Sequence, residues 1–188
     1  MIRRPPRSTL SSSSAASDVY KRQDLGFGAA IARSIENNSH PYRHYSLLAT
    51  CRQQGIPATV HVALGTDIIH QHPEADGAVT GEMSFRDFRL LCSVVADLDD
   101  GGVWINLGSA VLLPEVFLKA LSIVRNLGHR VEKFTTANFD MIQHYRPLQN
   151  VVGRPTAAGG RGFTLTGHHE INIPLFARAV LEELAVGE

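Results

Sequence analysis

A cluster of groups suited to chemistry follows an apolar run in the first half of the chain: Gly65, Thr66, Asp67, His70 and His72 come directly after residues 56–64. That run is near-continuously apolar and β-branched apart from His61, the composition of a parallel strand covered on both faces. Ligands of open parallel sheets bind just beyond the carboxyl ends of the strands, so this loop is where binding residues are expected. His70 and His72 are two apart. In an extended backbone both imidazoles share one face and could chelate a metal with a third ligand such as His168, as a metal-dependent hydrolase would need. Loop histidines hydrogen-bonded to backbone are the other reading.

Four further groups stand out. Gly108-Ser109-Ala110, between an apolar strand and a helix, offers backbone N–H groups and a positive helix end to a phosphate. It is not the full G-x-G-x-x-G pattern, and a tight strand-to-helix turn would look the same. Asn138, Asp140, His144, Tyr145 and Arg146 crowd one segment with polar and aromatic groups, suited to substrate contact or to a solvated loop. Gly159-Gly160-Arg161-Gly162 combines a permissive backbone with one cation. In Gly167-His168-His169-Glu170, the two histidines or Glu170 could act as acid or base, or Glu170 could cap the last helix.

The elements that must position these groups follow from periodicity. Helices are expected over residues 24–38 and 45–54, the second closed by Gly55, then a buried strand over 56–64. Ser84 with Asp87 reads as a capping box opening a helix with Phe85, Phe88, Leu91, Cys92 and Val95 inward. A strand over 103–107 leads to a helix begun by Pro114 and stopped by Gly128, with Glu115 and Lys119 paired outside. A strand over 129–136, a long loop over 137–162, a short extended piece over 163–166 and a helix from Pro174 to about Leu184 complete the order. Helices alternating with buried strands indicate an α/β fold with a Rossmann-like parallel sheet flanked by helices. Because the pattern opens on a helix, residues 24–188 are expected to be an N-terminally truncated part of a larger domain.

Residues 1–23 read differently. Their serine run, paired prolines and scattered bases lack any apolar period or signal-peptide h-region, and they resemble translated sequencing adapter, an artefactual disordered tail. The whole chain balances 18 Lys and Arg against 18 Asp and Glu. Arg3, Arg4, Arg7, Lys21 and Arg22 fall in that tail against Asp18 alone, so the remainder is mildly acidic and has no basic footprint for nucleic acid. No apolar run is long enough to span a bilayer. Cys51 and Cys92 are expected as buried free thiols, which suits a cytoplasmic protein.

Ser46-Leu47-Leu48, Gly55-Ile56-Pro57, Ala63-Leu64 and Thr66-Asp67, in this order, resemble the deoxyhypusine synthase pattern of a helix, an I-P-V strand and a loop carrying T-D-G. Arg154-Pro155, the glycines of residues 159–162 and the Ile-Asn-Ile-Pro-Leu-Phe run at 171–176 are similar to that family's C-terminal part. The resemblance implies a Rossmann-like domain that binds NAD at the sheet ends, in a homo-oligomer, usually a tetramer, acting on a small amine. By position it matches Thr66 and Asp67 to the family's nucleotide-contacting T-D element; from the residues themselves, Gly65, Gly108 and Ser109 are expected with them at the cofactor, and His70, His72, Asn138, Asp140 and Arg161 at the substrate. His168, His169 and Glu170 are left to handle protons. Where the family has its reactive lysine this chain has Arg161, whose guanidinium cannot form an imine, and the only lysines after residue 23 are Lys119 and Lys133. The expected function is therefore a diverged enzyme of that kind, with a metal-dependent hydrolase or a non-catalytic scaffold as alternatives.

Overall fold

The structure is a computed structural model and describes residues 25–186; the expected tail at residues 1–23 lies outside them. The chain divides into two compact units between Leu91 and Cys92, and each is described by itself.

The first unit holds α1 (Phe27–Asn37), α2 (Leu47–Gln53) and most of α3 (Gly77–Ala96). Ser46 caps α2 by accepting from Ala49 N–H, and Gly55 at φ 68° ends it with the paired bonds Ile56 N to Cys51 O and Gly55 N to Arg52 O. The expected strand over residues 56–64 is a correction: residues 56–63 have no regular secondary structure and pair with no strand among the described residues. Its alternate donors go to side chains of α3, Val60 N–H to Asp87 Oδ2 at 2.8 Å and Val62 N–H to Ser84 Oγ at 3.1 Å. Side chains thus satisfy what a ladder would otherwise have to. Val60 and Val62 pack on the cluster of Phe27, Ala30 and Met83.

The expected capping box is corrected too. α3 begins at Gly77, where Asp76 Oδ1 accepts from Ala78 and Val79 N–H at 3.0 Å each, so Ser84 and Asp87 lie inside the helix. Its buried stripe is Thr80, Met83, Asp87, Leu91 and Val95, with Phe85 exposed. Cys51 and Cys92 are free and only half-buried, and burial raises the Cys92 thiol pKa.

The second unit is an open three-stranded parallel sheet, order β1 (Val103–Leu107), β2 (Thr135–Asp140), β3 (Arg161–Thr166), flanked by α4 (Leu112–Asn126) and α5 (His169–Val186). A helical turn at Tyr145–Pro147 runs into a π-helical turn at Leu148–Gly153 before β3. Trp104 stacks on Phe117 of α4 at 4.0 Å, and Phe117 meets Phe134 edge-on, so one sheet face and α4 share the core with Leu121, Val124 and Val131. Each such fully buried side chain contributes roughly 2–3 kcal/mol of transfer free energy. Phe139, on the other face, meets Phe176 of α5 at 5.5 Å.

Three expectations shift here. α4 starts at Leu112, two residues before Pro114, and ends as expected at Gly128, φ 92°, where His129 N bonds Val124 O. The third strand starts at Thr135 rather than His129, because the earlier backbone is held by side chains. Val131 O accepts from the Arg125 guanidinium, while Glu132 and Lys133 N–H donate to Asp99 Oδ1. Asn138 and Asp140, expected in a loop, are therefore strand residues. α5 begins at His169, with Pro174 inside it rather than opening it.

Candidate functional site

The carboxyl ends of β1, β2 and β3 bring polar groups together. Asn106 and Asn138 occupy the same register on neighbouring strands, both buried, and Asn106 Nδ2 donates to Asn138 Oδ1 at 2.7 Å and to Ser109 O at 3.0 Å. Asn138 Nδ2 donates to Gln143 Oε1 at 2.7 Å, and Gln143 Nε2 donates to Asp140 O and Thr166 Oγ1. This amide chain ties the ends of all three strands into one polar floor, in which each amide fixes the orientation of the next.

Above it stands the first turn of α5. Gly108, at φ 65°, lies so close to His169 that a Cβ there would come within 2.9 Å of His169 Nε2, and a Cβ on Gly167 would come within 2.7 Å of Asn172 Nδ2. Two glycines thus make room for two side chains, and Gly108 also needs the left-handed backbone that other residues resist. Among the described residues, three buried side-chain polar atoms have no hydrogen-bond partner: Thr136 Oγ1, His169 Nδ1 and Asn172 Nδ2. Two of the three lie at this one place, on positions i and i+3 of a helix, which share a face. Buried polar atoms are ordinarily satisfied, so an unpaired pair marks a place suited to a ligand or water.

The remaining expected residues separate. Ser109 Oγ accepts from Leu113 N–H, which commits it to the start of α4. Asp140 Oδ1 accepts weakly from Ile142 N–H, 3.4 Å, at the site's rim. His168 and Glu170 are exposed, and His168 O accepts from Ile171 and Asn172 N–H. Arg161 is a correction: it opens β3 opposite Thr135, at the end of the sheet away from Gly108 and Asp140, so it is not grouped with them.

Gly65, Thr66, Asp67, His70 and His72 belong to the first unit, in a loop that follows no sheet strand. Asp67 Oδ2 accepts from Ala63 N–H at 2.8 Å, His70 Nε2 lies 3.3 Å from Ala63 O, and His72 Nδ1 accepts from Glu74 N–H. These side chains close their own loop, and no group of three His, Cys, Asp or Glu among the described residues is placed to share a metal ion.

Sequence reasoning missed Asn106, Gln143, Thr166 and Asn172. A signal existed for Asn106, a polar residue poorly suited to strands inside an otherwise apolar run. It also misassigned Asp87, read as part of a capping box: the residue is 1 % exposed, and its Oδ2 accepts from Gly28 N–H at 2.9 Å as well as from Val60. Gly26 gives α1 no capping side chain, so Asp87 supplies one from another helix, and a Cβ on Gly26 would collide with its carboxylate. Burial raises the Asp87 pKa, opposed by those N–H bonds and by His61, while burial lowers that of His61, opposed by Asp87.

No protein-family model, no curated protein and no solved structure matches the chain. No helix among the described residues is long and apolar enough to cross a membrane.

Proposed function

We propose that this chain is part of a deoxyhypusine synthase-like, Rossmann-like protein that takes NAD and a small amine-type substrate at the carboxyl ends of its parallel sheet, in the cytoplasm. The observation that supports this reading is the convergence at one place of Gly108, His169 Nδ1 and Asn172 Nδ2, two buried polar atoms without partners beside a glycine strand exit.

The residues present fit part of the cofactor. Asn172 Nδ2 is a donor only and suits an acceptor oxygen such as that of a phosphate or carboxamide, and the Gly108 backbone permits close approach. When bound, NAD would supply a hydride acceptor. His169 Nδ1 could then take or return the proton that leaves the substrate. The amide chain from Asn106 to Thr166 would hold the strand ends rigid beneath them. Lys119 pairs with Glu115 on the outer face of α4, and Lys133 precedes β2 at the far end of the sheet, so neither lysine replaces the family's imine-forming group.

Calorimetric titration with NAD tests the reading. Binding in the wild type, weakened about tenfold in Asn172→Ala as expected for one lost hydrogen bond to a charged group, supports it. No heat at millimolar NAD overturns it. Binding without turnover of any amine would favour the scaffold alternative.

A further inference from the structure

A second cleft lies at the amino ends of the strands, between the last turn of α4, the residues that lead into β2 and Ala158 before β3. It holds about 390 Å³, and concave sites for small ligands begin at roughly 300 Å³. Arg125, His129, Arg130 and Glu132 are its charged or titratable lining, and Val131 and Ala158 its apolar part. The glycine-rich run over residues 159–162, which has no place at the carboxyl ends of the strands, shapes it. A Cβ on Gly160 would come within 2.5 Å of Phe134 O and 3.2 Å of Glu132 O, so glycine is what lets the residues before β3 press on those before β2. Arg161 N–H then donates to Phe134 O at 3.0 Å.

The group that decides what this cleft suits is Arg125. Its Nε and Nη2 donate to Val131 O at 3.0 and 2.6 Å, and Nη2 also donates to Pro155 O at 2.8 Å. Both acceptors are neutral. Among the described residues no carboxylate pairs with this half-buried guanidinium, and its Nη1 has no hydrogen-bond partner. The fork is fixed in place with two N–H groups unused and its charge uncompensated. Carbonyls at the end of α4 would repel an anion, but Ile123, Val124 and Arg125 O already accept from Leu127, His129 and Gly128 N–H.

We infer that this cleft is a separate binding site, for the phosphate group of a small phosphorylated ligand. A planar, pre-oriented fork matches phosphate oxygens, Arg130 adds a second cation, and the remaining volume takes the organic part against Val131 and Ala158. Glu132 is the opposing charge. Its carboxylate lies 3.5 Å from Arg130 Nε in an exposed, loose pair, which the ligand displaces. The site does not depend on which ligand the carboxyl ends of the strands take.

Calorimetry of the full chain with inorganic phosphate and with glycerol phosphate is the test. Both are expected to bind, the ester more tightly, and the dicarboxylate malonate more weakly than either. Arg130→Ala is expected to weaken binding about tenfold, as for one lost bond between charged groups, and Glu132→Gln to tighten it about threefold by removing the competing carboxylate. Neither variant removes a bond that holds Arg125, so the circular dichroism spectrum should not change. Asn172→Ala, at the other end of the sheet, is expected to bind phosphate as the wild type does, which separates failure here from failure of the NAD reading. No heat from either phosphate at about 10 mM, malonate binding as tightly as phosphate, unchanged affinity in Arg130→Ala, or a loss in Asn172→Ala in its place would overturn the inference.

Discussion

The two units use their polar side chains in opposite ways. In the first, Asp87, Ser84, Asp67 and Asp76 are each committed to backbone N–H groups. They hold together a segment and helix ends that lack ladder partners. In the second, a backbone ladder does that work within the sheet, with Asp99 and Arg125 holding only the backbone that leads into β2, and the amides at the strand ends bond one another while His169 Nδ1 and Asn172 Nδ2 bond nothing. Chemistry-bearing residue types are therefore a poor guide to a site unless their bonds are counted. Thr66-Asp67 with His70 and His72 looks the richer cluster as sequence, yet it is the one that structure absorbs.

The largest effect is expected where that contrast is sharpest. Asp87→Ala strips the acceptor from Gly28 and Val60 N–H in a buried place and should cost about 3 kcal/mol, seen as a lower unfolding midpoint and faster hydrogen exchange in α1 and residues 56–63. Asp87→Asn keeps an oxygen for both donors and should cost about 1 kcal/mol. If the alanine variant were as stable as wild type, the first unit would not depend on side-chain bonding. Next comes Gly108→Ala. Its φ of 65° costs a Cβ about 1–2 kcal/mol, and the new methyl meets His169 Nε2. Calorimetry should find ligand binding lost while circular dichroism still reports the sheet.

A smaller effect should separate the two histidine clusters. His169→Ala removes a side chain whose Nδ1 bonds nothing, so stability should change by less than about 1 kcal/mol while NAD affinity falls. His72→Ala removes an acceptor from Glu74 N–H, and should lower stability by about 0.5 kcal/mol with NAD affinity unchanged. The reverse pattern would move the site to the first unit.

Much of this fold was legible in the sequence where a local rule suffices. Gly55 and Gly128 end their helices because only a left-handed residue closes that hydrogen-bond pair, and residues 103–107 and 163–166 read correctly as extended. The strand over residues 56–64 was misread because an apolar, β-branched run specifies extended backbone but not its bonding partner, here Asp87 and Ser84 from more than twenty residues away. The start of α3 was missed because Gly77 and Gly81 weaken helix propensity, which the Asp76 cap offsets. At the site, Gly108, Asn138, Asp140 and His169 were legible by type, whereas Asn106, Gln143 and Asn172 acquire meaning only through register. Arg161 carried the wrong expectation because a strand's first residue sits a full strand length from its last.

The subtlest test concerns pH. His61, beside Asp87, has its pKa lowered by burial below the ordinary 6.5, with Asp87 pulling the other way. The folded state therefore favours neutral imidazole. Its contribution is complete above the unfolded value and is lost as pH falls through the folded one. Asp87 has the opposite sense: burial raises it above 3.8, so its ionised form costs stability that is regained as pH falls through its folded value. The two effects approach each other from opposite sides, one opening downward from 6.5 and the other complete at 3.8. The unfolding midpoint should fall as pH drops below 6.5, and His61→Gln, which cannot titrate there, should flatten that fall and, because the imidazolium that helps to lower Asp87 is gone, move the acid-side regain to higher pH. A slope that survives in His61→Gln would mean that the pH response belongs to another group, and that the buried carboxylate and its neighbour are purely mechanical fasteners of the first unit.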